Sequence, residues 1–87
     1  MQKFIIEKTD FEDVVVIVPR IFKDSRGYFC ETYNADNLQA LGFDEKMVQD
    51  NQSKSAKNVI RGLHYQWDAP MGKLVRVIKG SVKDVIV

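Results

Sequence analysis

The segment Val59-Ile60-Arg61-Gly62-Leu63-His64-Tyr65-Gln66 places a guanidinium, a glycine and the only imidazole of the chain within four residues. An imidazole, whose unperturbed pKa lies near ~6.5, is a base at neutral pH. A guanidinium is matched to the paired oxygens of a phosphate. Strict strand alternation would put Arg61 and His64 on opposite faces, because side chains repeat every two residues. A bulge at Gly62 would bring both onto one face. The alternative is an exposed arginine beside a histidine whose hydrogen bonds are satisfied at a barrel rim.

Three further clusters carry chemistry in principle. Asp24-Ser25-Arg26-Gly27-Tyr28-Phe29 sets a cation beside aromatic rings, an arrangement suited to a phosphate next to a flat base. It also reads simply as a hairpin turn. Gln49-Asp50-Asn51 concentrates amide donors and acceptors that could read the edge of a heterocycle, or forms a polar strand end. Gly72-Lys73 offers an ammonium after a loop containing Pro70, for a carbonyl or a phosphate, or an exposed lysine. Asp84, among Val82, Val85, Ile86 and Val87, is either buried with a partner or on a solvated face. Cys30, between Phe29 and Glu31, reads as a small packed residue.

The elements that must position these groups are mostly β. Phe4 to Ile6 and Val14 to Val18 are β-branched or aromatic runs, the second ended by Pro19, which has no N–H for a ladder. The turn at Asp24 to Gly27 leads into a strand from Tyr28 to Tyr33. One short helix is expected, with Asn34 as N-cap, Leu38 and Leu41 three apart and Gly42 just past its end. Met47 to Gln52 reads as a possible strand and Ser53 to Asn58 as a polar loop. Val59 to Gln66 reads as a strand, and Trp67 to Gly72 as a loop. Lys73 to Ile78 and Ser81 to Val87 are two further strands, joined as a hairpin around Lys79-Gly80. Phe4, Phe11, Phe22, Phe29, Tyr33 and Phe43 are the expected aromatic core, and Trp67 a lid or interface residue. Six or seven short strands with one helix predict an all-β sandwich or barrel.

Composition narrows the class. With 87 residues the chain is one domain at most. Hydrophobic residues at 45% and charged ones at 29% argue against disorder and low complexity. A formal charge of +1 gives no reason to expect nucleic acid or a membrane surface as partner. One Cys and one His cannot build a zinc site or an intrachain disulfide. The glycines are dispersed, without a dinucleotide or phosphate-loop motif. No run approaches the ~20 apolar residues of a membrane helix, and no secretory h-region is visible. A soluble protein of a reducing cytoplasm is the default expectation. The strand-like run to Val87 has no turn, polar tail or cap, unlike most edge strands. That predicts the N-terminal part of a longer protein, with a complete 87-residue domain as the alternative.

Four segments together carry a resemblance. Asp24-Ser25-Arg26-Gly27-Tyr28-Phe29-Cys30-Glu31, Val48-Gln49-Asp50-Asn51-Gln52-Ser53-Lys54-Ser55, Val59-Ile60-Arg61-Gly62-Leu63-His64-Tyr65-Gln66 and Gly72-Lys73-Leu74-Val75-Arg76-Val77-Ile78-Lys79-Gly80 are similar, in order and spacing, to motifs of the dTDP-4-dehydrorhamnose 3,5-epimerase family. The resemblance spans nearly the whole chain from Phe4 onward. It implies a jelly-roll (cupin-like) fold in a protein about twice this length. It also implies a homodimer that exchanges N-terminal strands, so that part of the site comes from the neighbouring subunit. By resemblance, His64 matches the proton-abstracting base and Lys73 a position near the sugar's keto group. Arg26, Glu31, Gln49, Asp50, Asn51 and Arg61 match positions that bind the nucleotide-sugar. Gln52, where the family often has His or Glu, and Cys30, where an aromatic is usual, are departures outside this chemistry. The family's tyrosine acid and the acidic partner of its base have no counterpart in these residues.

The implied reaction is epimerisation at C3 and C5 of dTDP-4-dehydro-6-deoxyglucose by proton abstraction alpha to the keto group, with no redox cofactor and no metal. A carbon next to a ketone has an acidic C–H bond, because its loss gives an enolate. A neutral imidazole removes that proton, and an ammonium stabilises the charge developing on O4. Arginines hold the diphosphate and so anchor a substrate whose reacting end is only a sugar ring. Related readings are a C5- or C3-only epimerase or a ketoisomerase of the same fold. A non-catalytic cupin-like binding module is the reading from another class. The 87-residue piece alone is expected to be inactive.

Overall fold

The computed structural model describes residues 3–68 and 71–87. They fall into two compact units, residues 1–51 and 52–87. The first contains all of the described regular structure, which is mostly sheet with one short helix.

Strand β1 (Phe4–Lys8) pairs antiparallel with β2 (Val15–Pro19), in a register that sets Phe4 opposite Pro19 and Lys8 opposite Val15. One face of this hairpin carries Phe4, Ile6, Val15, Ile17 and Pro19, all buried or half-buried. The other exposes Ile5, Val16 and Val18. Period-two alternation is therefore legible in burial, although both faces are apolar. Thr9 organises the connecting loop: its Oγ1 donates to the Val14 carbonyl at 2.6 Å and accepts from the Phe11 N–H at 3.2 Å. Pro19 ends β2 from inside it rather than standing just beyond it. A terminal strand position costs no ladder bond there, and Arg20 continues the pairing by donating its N–H to the Lys3 carbonyl at 2.8 Å.

The second hairpin joins β3 (Ile21–Asp24) to β4 (Gly27–Cys30), with Ile21 opposite Cys30 and Asp24 opposite Gly27. Ser25 and Arg26 form its two-residue loop. Gly27, at φ +138°, takes the backbone value that a side chain would resist. The sequence reading placed the turn but not β3, and it carried the following strand to Tyr33 where β4 stops at Cys30.

Helix α1 (Ala35–Ala40) begins where expected. Asn34, extended at φ −153°, accepts the Asn37 N–H on its side-chain oxygen at 3.1 Å. The far end closes as a Schellman motif. The Phe43 N–H reaches the Leu38 carbonyl at 2.9 Å, and the N–H of Gly42 reaches that of Gln39 at 3.0 Å. Gly42 supplies the left-handed residue at φ +95°. Leu38 and Phe4 are the fully buried side chains among the described residues, at 0% and 1% exposure.

Several expectations fail. Phe11, Phe22 and Phe29 are exposed rather than core, while Tyr33 and Phe43 are half-buried. Cys30 is half-buried. No strand forms over 47–52, 59–66, 73–78 or 81–87, and the hairpin around Lys79-Gly80 is absent. Gly80 does take a left-handed bend at φ +90°, but the arms do not ladder. Every described residue of 52–87, Asp84 and Trp67 included, is exposed. The physical reason is that β propensity measures fit to a partner strand and a packed face. An apolar run with neither has no ladder to join. The loop expected over Trp67 to Gly72 lies partly outside the described residues, since 69 and 70 are not among them. No described helix is long and apolar enough to cross a membrane.

Candidate functional site

Each site residue inherits its surroundings from the local structure just described. Arg26 sits in the tight loop of the second hairpin. There Asp24 Oδ1 accepts the Arg26 backbone N–H at 2.8 Å, and the Asp24 carboxylate takes the guanidinium side-on, with Nη2 to Oδ2 at 2.6 Å and Nε to Oδ1 at 3.4 Å. The Asp24 carboxyl is held below its ordinary pKa, first by the guanidinium and then by the backbone N–H, and the Arg26 pKa is raised in return. Arg26 is thus a cation already paired with a carboxylate. Its remaining guanidinium donors are what a phosphate would meet. At the end of β3 away from this loop, Arg20 stacks over the Phe22 ring at 5.3 Å from its centroid.

Glu31 lies just past β4 and is clamped at both oxygens. Asn34 Nδ2 donates to Oε1 at 2.7 Å, and Lys3 Nζ lies 3.0 Å from Oε2. Its pKa is lowered, chiefly by the Asn34 hydrogen bond and next by Lys3, against a smaller opposing effect of desolvation. An ionised, oriented carboxylate results, with one oxygen tied to the start of α1 and the other to the chain preceding β1.

Gln49, Asp50 and Asn51 are exposed. Gln49 Nε2 donates to Asn51 Oδ1 at 3.3 Å, so these two amides do face one another. Met47, just upstream, donates its N–H to the Tyr33 hydroxyl at 3.4 Å, which ties this extended segment to the residues after β4.

In the second unit, Arg61 Nη2 donates to the Lys54 carbonyl at 3.4 Å. Asn58, at φ +70°, bends the chain before it, a conformation that asparagine tolerates better than most residues. His64 and Lys73 are exposed. Gly62 takes φ +133°, but no strand surrounds it, so the bulge that would set Arg61 and His64 on one strand face has no ladder to interrupt. The structure brings together Arg26 with Asp24, Glu31 with Lys3 and Asn34, Gln49 with Asn51, and Arg61 with the Lys54 backbone. Lys3 and Asn34 were absent from the site as read in the sequence. Asn34 was legible as a neighbour, three residues beyond Glu31. Lys3 comes from a distant part of the chain and left no local signal.

The model of the dTDP-4-dehydrorhamnose 3,5-epimerase family matches residues 8–87, and the chain belongs to that family. It is 46% identical to the dTDP-4-dehydrorhamnose 3,5-epimerase of Methanothermobacter thermautotrophicus over 87 residues, covering all of this chain and 47% of that one. It is 46% identical to the enzyme of that name from Escherichia coli over 82 residues, 92% of this chain and 44% of the other. With the Pseudomonas aeruginosa protein of the same name, identity is 50% over 76 residues, 86% of this chain and 42% of the other. The chain therefore spans somewhat under half the length of these curated relatives. No solved structure matches it.

Proposed function

We propose that the full-length protein epimerises C3 and C5 of dTDP-4-dehydro-6-deoxyglucose to give dTDP-4-dehydrorhamnose, within a jelly-roll fold that works as a homodimer. The match to the epimerase family over residues 8–87 carries this reading, because it runs through all eight candidate site residues.

In this reading His64 takes a proton from the carbon next to the keto group, and the electron pair moves onto O4 as an enolate. Lys73 stabilises that charge by hydrogen bonding and proximity. An acid on the opposite face then returns a proton to carbon, and the centre is inverted. Protons taken and given balance, so no oxidant or reductant enters. Arg26 and Arg61 hold the diphosphate, and Glu31, Gln49, Asp50 and Asn51 recognise the polar edges of the nucleotide end. Binding energy from that unreactive end fixes the sugar ring at the base.

Incubating the full-length protein with the 4-keto sugar nucleotide in deuterium oxide is expected to place deuterium at both C3 and C5, read by proton NMR. Absence of label at either carbon overturns the 3,5-epimerase reading. A second measurement isolates the anchor. Arg61→Ala is expected to raise the dissociation constant for dTDP by roughly ten- to a hundredfold, the usual effect of losing a hydrogen bond from a charged group. An unaltered constant in titration calorimetry removes Arg61 from the phosphate site.

A further inference from the structure

We propose that Asn34 is a positioning residue for nucleotide-sugar recognition: its amide nitrogen holds the Glu31 carboxylate in place while its amide oxygen caps α1. The proposal rests on the reading above that Glu31 binds the nucleotide-sugar.

The geometry assigns both ends of the amide. Asn34 Oδ1 accepts the Asn37 N–H at 3.1 Å, and Nδ2 donates to Glu31 Oε1 at 2.7 Å. The opposite amide orientation would set Nδ2 against an N–H and Oδ1 against a carboxylate oxygen, so only one orientation satisfies both neighbours. Asn34 is itself fixed by the backbone of the helix it caps. A side chain locked at one end is a rigid donor at the other.

Glu31 needs such a donor. It follows the last residue of β4 and is not held by a ladder. Its other oxygen is bound by Lys3, a half-exposed side chain at 48%, whose ammonium sits on a flexible four-carbon stem. With Oε1 on Asn34 and Oε2 on Lys3, the carboxylate cannot swing, yet each oxygen keeps a further lone pair for a ligand N–H or hydroxyl. Preorganised acceptors lose less freedom on binding than mobile ones. The lowered Glu31 pKa agrees, since both partners favour its ionised form.

Capping and positioning separate by substitution. Aspartate and serine cap helices about as well as asparagine, but ionised aspartate donates nothing and serine is too short to span to Glu31. In the full-length protein, Asn34→Asp and Asn34→Ser are each expected to raise KM for the sugar nucleotide about tenfold with kcat close to wild type; the melting temperature stays close to wild type in Asn34→Ser, whereas Asn34→Asp sets a second carboxylate against Glu31 and lowers it. In a Glu31→Gln background, which by itself raises KM, Asn34→Ser is expected to add little. An unchanged KM in both Asn34 variants overturns the proposal and leaves Asn34 a helix cap alone. A KM rise in Asn34→Ser accompanied by a matching fall in melting temperature overturns it too. If Asn34→Ser adds its full effect in the Glu31→Gln background, the two residues act independently and the proposal fails. If Glu31→Gln alone leaves KM unchanged, the fault lies in the binding role assigned to Glu31, and the proposal falls with it.

Discussion

Replacing His64 by alanine or asparagine in the full-length protein is expected to slow deuterium exchange at C3 and C5 by roughly 10²–10⁴-fold, the usual contribution of a positioned general base. His64 is the one imidazole in these 87 residues, and an imidazole nitrogen is the commonest side-chain proton acceptor in general base catalysis. Asparagine keeps a polar side chain of similar size but has no basic nitrogen, so both variants lose the proton acceptor. Binding should survive, because the diphosphate anchor is assigned to other residues. The expected signature is therefore a fall in kcat with dTDP affinity near wild type. Exchange at the wild-type rate in either variant would assign the base to another residue, and loss of dTDP binding would make His64 part of the anchor.

What the sequence made legible and what it hid divide along one physical line. The helix was readable because its signals are local. Asn34 satisfies a backbone donor three residues on, and Gly42 takes the left-handed turn that ends it. The hairpin loop at Asp24 to Gly27 was readable for the same reason. Its first arm, Ile21–Asp24, carries little strand signal of its own, although a two-residue loop with a strand after it requires one before it. The segments from Val59, Lys73 and Ser81 resemble strands through their β-branched composition. That composition records a preference for a partner and does not supply one. At the site, the four motifs placed the family by type and order. The ion pair of Lys3 with Glu31 joins residues 28 positions apart in sequence, and no pattern in either neighbourhood predicts it. The Asp24 clamp on Arg26 was within reach of the sequence, since aspartate two residues ahead commonly turns back on the backbone. Its consequence, a guanidinium already engaged by a carboxylate, follows from the geometry.

The 87-residue polypeptide expressed by itself is expected to lack a cooperative thermal transition, to bind a hydrophobic dye such as anilinonaphthalene sulfonate, and to show no epimerase activity. The fully buried side chains among the described residues are Phe4 and Leu38. Even a complete core in a domain of this size rarely supplies more than about 3–5 kcal/mol. Residues 52–87 contribute no buried side chain among those described. They instead expose Ile60, Leu63, Tyr65, Val75, Ile78, Val82, Val85 and Ile86. Exposed apolar runs rich in β-branched residues pair with whatever edge is available, which in a concentrated solution of one polypeptide is another copy. Secondary structure held by local bonds, such as the Thr9 loop, the Asp24 turn and the caps of α1, should persist as far-ultraviolet dichroism without fixed packing. That combination of observables defines a molten state. The checks are differential scanning calorimetry, sedimentation velocity over a tenfold range of concentration, and dye fluorescence on the same preparation. A sharp, concentration-independent transition from a monomer that leaves the dye dark would overturn the expectation. It would show that the exposed segments find their partners within these 87 residues, and it would favour the small binding module over the epimerase.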